Sequence, residues 1–149
     1  DTMGDTEHGV LMMLDMDHLK YINDTFGHAG GDFALRKAAE LLMKYAADSG
    51  IAARLSGDEF VLFLKAESKE ALYAKIYALE QEYTQTEVEM VDQQKVPLRF
   101  SGGYVFVEQG EESRPMILKK ADTTLYRAKN NGRSKLLEYD AAYDKIETE

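Results

Sequence analysis

The sequence contains no cysteine, which excludes a disulfide framework and any thiolate metal centre and suits a reducing cytosol. Proline is scarce, at two residues, and no internal repeat or low-complexity tract is present, so collagen-like, solenoid and disordered classes fall away. Apolar runs are short. None approaches the roughly 18 consecutive apolar residues of a helical membrane span, and the first residues carry neither a basic region nor an apolar signal segment. Positive charge is also in deficit, 18 Lys and Arg against 27 Asp and Glu for a net charge of −9, with no local basic patch. Such a surface repels a nucleic-acid backbone, so no nucleic-acid partner is expected. A small anion such as a nucleotide would need a cation bridge here, which points toward bound metal.

What is present is 149 residues, 44% hydrophobic and 30% charged, the size and mix of one compact domain. A cytoplasmic domain is expected. The chain opens on Asp1 rather than Met, which reads as a piece of a longer protein and leaves a membrane anchor elsewhere in that parent open.

Hydrophobic periodicity orders the chain. Val10 to Leu14 form an almost continuous apolar run broken by Asp15 and Asp17, the pattern of a strand buried on both faces with carboxylates at its end. Leu19, Ile22 and Phe26 predict a short helix closed by Gly27, followed by a loop through Gly31; a long helix is predicted from Asp32 to about Ser49. Ile51–Leu55 and Phe60–Leu64 read as a hairpin around a four-residue turn, Ser56 to Glu59. Leu72, Ile76, Leu79 and Tyr83 predict a third helix, and 84–95 is polar, a strand with a loop. Val96 to Val107 reads as a further strand with a glycine bulge at Gly102 and Gly103. Pro115 starts the last helix, Asn131 and Gly132 end it, and 136–139 closes the order as a strand. The alternation predicts an α/β (α+β) fold, a mixed sheet covered by helices; Asp140 to Glu149 is read as a linker or connecting helix.

Acidic pairs at strand ends and on turns are ordinarily solvated. Asp15 and Asp17, however, precede the free N–H groups of a helix start at His18, Leu19 and Lys20, a combination of metal-binding carboxylates and anion site suited to magnesium triphosphate. Asp58 and Glu59 sit on a hairpin whose strands are expected beside the first strand, so they and Asp15 can converge on shared cations.

Leu14 to Asp24 (L-D-M-D-H-L-K-Y-I-N-D), Gly27 to Asp32 (G-H-A-G-G-D), Arg54 to Phe60 (R-L-S-G-D-E-F), and Ala121, Asp122, Leu125, Tyr126, Ala128 and Lys129 with Gly132 and Arg133 resemble the successive motifs of GGDEF domains, in family order from position 14 to 133. The resemblance implies a palm-like, mainly antiparallel five-stranded sheet flanked by helices, over residues 1–139. It implies a diguanylate cyclase in which two GTP-loaded subunits meet antiparallel as a homodimer and form cyclic di-GMP. Asp15, the Met16 carbonyl and Asp58 correspond to ligands of Mg2+ (or Mn2+), with Glu59 completing a second metal. Asn23 and Asp32 correspond to the guanine-reading pair, and His28 lies within a substrate-binding block. Lys20, Lys129 and Arg133 correspond to phosphate contacts, with Asp58, Glu59 and Lys20 closest to the chemistry. The alternative the resemblance allows is a catalytically weak GTP-binding domain regulating a neighbour such as an EAL phosphodiesterase.

Three departures from the family pattern stand out. Ser56 replaces the first glycine of the signature turn. The family's D-x-L-T-G-L-x-N-R segment has no counterpart in Asp1 to His8, and the product-inhibition motif R-x-x-D falls where this chain reads A-D-S-G, Ala47 to Gly50.

Overall fold

A computed structural model describes residues 7–47, 50–108 and 113–143. Most of the departing segment before the first strand and the centre of the A-D-S-G stretch lie outside these residues, as does the end of the chain.

The apolar run becomes β1 (His8–Met16), the middle strand of a sheet ordered β2-β3-β1-β6-β7. The others are β2 (Gly50–Ser56), β3 (Glu59–Ala66), β6 (Phe100–Val107) and β7 (Leu136–Glu138). All neighbours pair antiparallel except β6 with β7, which is parallel. The mixed, mainly antiparallel five-stranded sheet is therefore as expected.

Strand alternation divides the core. Val10, Met12, Leu14 and Met16 of β1 join Phe60, Leu62 and Leu64 of β3 in one cluster, packed with α1 (Leu19–Ala46) and α2 (Lys69–Thr84). Met13 joins Val105 of β6 and Ala121 and Leu125 of α3 (Arg114–Asn130) in a second. The alternate β1 positions thus face α3, and Asp15 belongs to that set. Ser68 caps α2, its hydroxyl accepting from the Ala71 N–H at 3.1 Å.

Four local expectations are corrected. The loop predicted from Gly27 to Gly31 shrinks to one residue: Gly27 alone leaves helical geometry, at φ 79 and ψ 172, and 28–46 is helical. Gly30 and Gly31 are buried inside that second segment because the first folds back on them. A Cβ on Gly30 would lie 2.5 Å from the Phe26 Cβ, and one on Gly31 only 1.8 Å from Asn23 Oδ1. The hairpin turn is tighter than predicted, since Ser56 pairs with Glu59 and only Gly57 and Asp58 intervene. Gly57 takes φ 46, a left-handed conformation open to glycine at little cost, and Arg54 Nε donates to its carbonyl at 2.8 Å. The polar stretch after α2 is a separate hairpin of β4 (Glu87–Glu89) and β5 (Lys95–Pro97), so Val96 belongs to a different sheet from Phe100.

The predicted bulge at Gly102 and Gly103 is also absent: β6 pairs with β1 without a register break from Phe100 to Val107. The glycines serve close approach instead. A Cβ on Gly103 would meet the Leu125 nitrogen at 2.3 Å and the Ala121 oxygen at 2.5 Å, so α3 rests directly on the strand backbone. Because helix backbone cannot yield as a side-chain tip can, Gly103→Ala is expected to destabilise the fold by about 3 kcal/mol. Urea denaturation measures this, and a loss below about 1 kcal/mol would contradict the packing argument.

Candidate active site

At one end of the sheet, on the face that α3 covers, Asp15 of β1 stands opposite Glu59 of β3 and Ser101 of β6. Three adjacent strands thereby align two carboxylates and a hydroxyl in one row. Asp58 lies on the turn preceding Glu59, and its carbonyl accepts from the Met16 N–H at 2.9 Å, fastening the hairpin turn to the end of β1.

Asp15 is buried at 5% exposure. One of its oxygens, Oδ2, pairs with the Lys129 ammonium from α3; the other, Oδ1, is buried and has no hydrogen-bond partner among the described residues. Desolvation holds the Asp15 carboxyl above the ordinary carboxylate range despite Lys129, and Asp58 and Asp122 push it further in the same direction. Burial raises Glu59 as well, supported by the negative charge of Asp15, Asp122 and Asp58 and opposed by Lys129. One cation therefore faces a group of four mutually repelling carboxylates.

Asp122 is the member that sequence reasoning passed over. It stood in a matching block without a role, yet it precedes Lys129 by seven residues, two helical turns, which puts both on one side of α3. That spacing was the available signal.

Asp17 behaves differently from Asp15. The D-x-D spacing suggested two carboxylates of one kind, but Asp17 is satisfied by the protein itself. Oδ1 accepts from Ser101 Oγ at 2.7 Å and Oδ2 from the Ser134 N–H at 2.9 Å, while Arg133 Nη1 stands 3.9 Å from Oδ1. Arg133 is thus brought to Asp17, just past the end of β1, with its side chain half exposed.

The remaining sequence-selected residues gather on α1. His18, at φ 64, begins the helix without a side-chain cap, and no acidic residue occupies the first turn, which includes exposed Lys20. The N–H groups there remain suited to an anion. Asn23 lies against Gly31 across the kink, next in sequence to exposed Asp32; His28 is exposed just after the kink. The ten selected residues therefore fall into an acidic row with Lys129, an Arg133 contact through Asp17, and an α1 set with Lys20 in the first turn and Asn23, His28 and Asp32 about the kink.

The donor set suits a hard divalent cation. Asp15, Asp58, Glu59 and the Met16 main chain offer oxygen only, and the unpartnered Asp15 oxygen is the kind of buried acceptor that a cation satisfies. Among the described residues no three acidic or imidazole side chains close into a ready-made cage.

Known proteins resemble this chain in sequence and in fold. Diguanylate cyclase A of Treponema denticola is 32% identical over 126 residues, which cover 85% of this chain and 34% of that protein. The chain thus spans about a third of that relative's length. Among solved structures, the GGDEF domain of YfiN (TpbB) from Pseudomonas aeruginosa superposes with a TM-score of 0.87 at 26% identity, covering 96% of this chain and 83% of the other. The GGDEF domain of DgcB from Caulobacter crescentus, solved in complex with c-di-GMP, gives 0.80 at 27% identity, covering 89% and 78%. Residues 2–135 match the family described as diguanylate cyclase, GGDEF domain, and the chain belongs to the GGDEF family of diguanylate cyclases.

Proposed function

We propose that this domain binds GTP with a divalent cation and, paired with a second copy of itself, condenses two GTP molecules into cyclic di-GMP. The observation that carries this reading is the concentration of carboxylates around Asp15, with one buried oxygen unpartnered. Four acidic groups facing one lysine are electrostatically incomplete, and a cation bridging to a triphosphate completes them. Magnesium or manganese, held by Asp15, the Met16 carbonyl, Asp58 and Glu59, would supply charge neutralisation and a more acidic ribose 3′-hydroxyl.

The chain's own groups supply binding and orientation. Lys129, Arg133 and Lys20 hold the phosphates and stabilise negative charge that grows at the reacting phosphorus. Asp32 accepts from the guanine N–H donors, and the Asn23 amide donates to its oxygen edge. His28 lines the same pocket. In the reaction the 3′-oxygen of one GTP bonds to the α-phosphorus of the other and pyrophosphate leaves; the reciprocal attack closes the ring and releases a second pyrophosphate. Each copy holds one GTP, so turnover requires an antiparallel homodimer. The greater length of the Treponema relative supports a parent chain with further domains that set this pairing.

Incubation of the purified chain with GTP and magnesium, followed by chromatographic separation of nucleotides, is expected to yield cyclic di-GMP and pyrophosphate, with none formed in chelator. GTP left intact by protein that demonstrably dimerises would overturn the catalytic reading.

A further inference from the structure

We infer that Asp17 is a positioning residue: it locks the turn between α3 and β7 so that the Arg133 guanidinium is held where the triphosphate binds. The inference rests on the proposed role of Arg133 and adds what holds that side chain in place.

The turn is held in an uncommon conformation. Gly132, Arg133 and Ser134 all take positive φ, at 101, 57 and 50, and the last two are L residues that pay sterically for it. Consecutive left-handed residues persist only where surrounding contacts over-determine them. Some of those contacts are local: the N–H groups of Asn131 and Arg133 both donate to the Ala128 carbonyl, at 3.3 and 3.0 Å. On the β7 side the Lys135 carbonyl accepts from the Gly102 N–H at 2.9 Å, and the Leu136 N–H donates to Glu80 Oε2 at 3.0 Å.

Between those anchors, the Ser134 N–H is received by Asp17, and no exposed surface group could do the same as firmly. The Asp17 side chain is fully buried, and its own N–H donates to the Arg99 carbonyl at 2.8 Å. Ser101 Oγ steadies it from β6 and also lies 3.2 Å from the Ser134 nitrogen. A buried carboxylate with donors on both oxygens is a strong, short-range fixture. Its remaining charge faces Arg133 at 3.9 Å, close enough to orient the guanidinium while leaving its other N–H groups to a ligand. Asp15 and Asp17 thus divide the labour from one strand end: the first meets Lys129 and keeps an oxygen open, and the second ties down the segment carrying Arg133.

A double-mutant cycle tests this, with 3′-deoxy-GTP and magnesium as the probe, since that nucleotide lacks the attacking hydroxyl and cannot turn over. Asp17→Ala is expected to weaken binding about tenfold in the parent, but less than about twofold in an Arg133→Ala background, because the contact it positions is already gone. Asp17→Asn retains the shape and one acceptor for Ser134; it should lose about threefold and carries the same comparison if the alanine variant does not fold. Melting curves establish that each variant is folded. Equal losses in both backgrounds, or a folded Asp17 variant that binds as the parent does, would overturn the inference. If Arg133→Ala itself binds like the parent, the proposed phosphate role of Arg133 fails, and the inference falls with it.

Discussion

Glu59→Gln is expected to reduce cyclic di-GMP formation by on the order of 10² to 10³ while leaving the metal-free protein at least as stable as the parent. The two effects share one cause. Glu59 is held above the ordinary carboxylate range by burial and by Asp15, Asp122 and Asp58, as Asp15 is by burial and its acidic neighbours. A carboxyl whose folded pKa exceeds its unfolded value binds more protons in the native state. Its ionisation therefore opposes folding: the penalty is fully present above the folded pKa and is relieved as pH falls through it toward the unfolded value. At neutral pH the row is electrostatically strained, and a neutral amide of the same shape removes one source of repulsion.

The same substitution removes a ligand charge from the proposed cation site. Magnesium with GTP should therefore raise the melting temperature of the parent more than that of the variant, by mass action on the folded state. Product chromatography and paired melting curves, in chelator and in magnesium, measure both halves. A stable variant with parental turnover would remove Glu59 from the chemistry, and a variant markedly less stable in chelator would contradict the repulsion argument.

The double variant Asn23→Ala with Asp32→Ala should lose most of the preference for GTP over ATP. A site that hydrogen-bonds a ligand edge rejects the analogue with exchanged donors and acceptors by about 10⁴ where its polar groups are buried, and by less where they are exposed. Asn23 is half-buried and Asp32 exposed, so a parental preference of about 10² is expected, falling to within about threefold in the variant. Phosphate affinity should survive, because Lys129 and Arg133 come from α3 and the turn after it. Competition binding of the two nucleotides decides the matter. A variant that still prefers GTP as the parent does would place base recognition elsewhere.

Much of this arrangement was legible without coordinates, because it depends on local physics. The apolar run before Asp15 is a strand because only burial on both faces accommodates it. Gly27 ends the first helical segment because it can take the φ of 79 found there. Asn131 and Gly132 end α3 for related reasons. Of the candidate residues, the carboxylates at the end of the first strand and on the hairpin turn stood out by residue type and position, and the others came from the motif resemblance.

What local rules could not decide was where each group faces once the layers pack. Gly30 and Gly31 looked like loop residues because glycine is a poor helix former; they lie within the helix, and glycine stands there because Phe26 and Asn23 occupy the space that side chains would fill. Gly102 and Gly103 looked like a bulge until the Leu136 side chain of β7 was laid against the first and the α3 backbone against the second. Asp15 and Asp17 are the clearest case: two residues apart and alike in sequence, they differ because Lys129 reaches the first, while Ser101 and Ser134, 84 and 117 residues further along, close around the second. Periodicity reports which side of a strand a residue occupies, but its partners come from other elements brought there by the chain's path, and those partners decide whether a carboxylate keeps an oxygen open or becomes part of the frame.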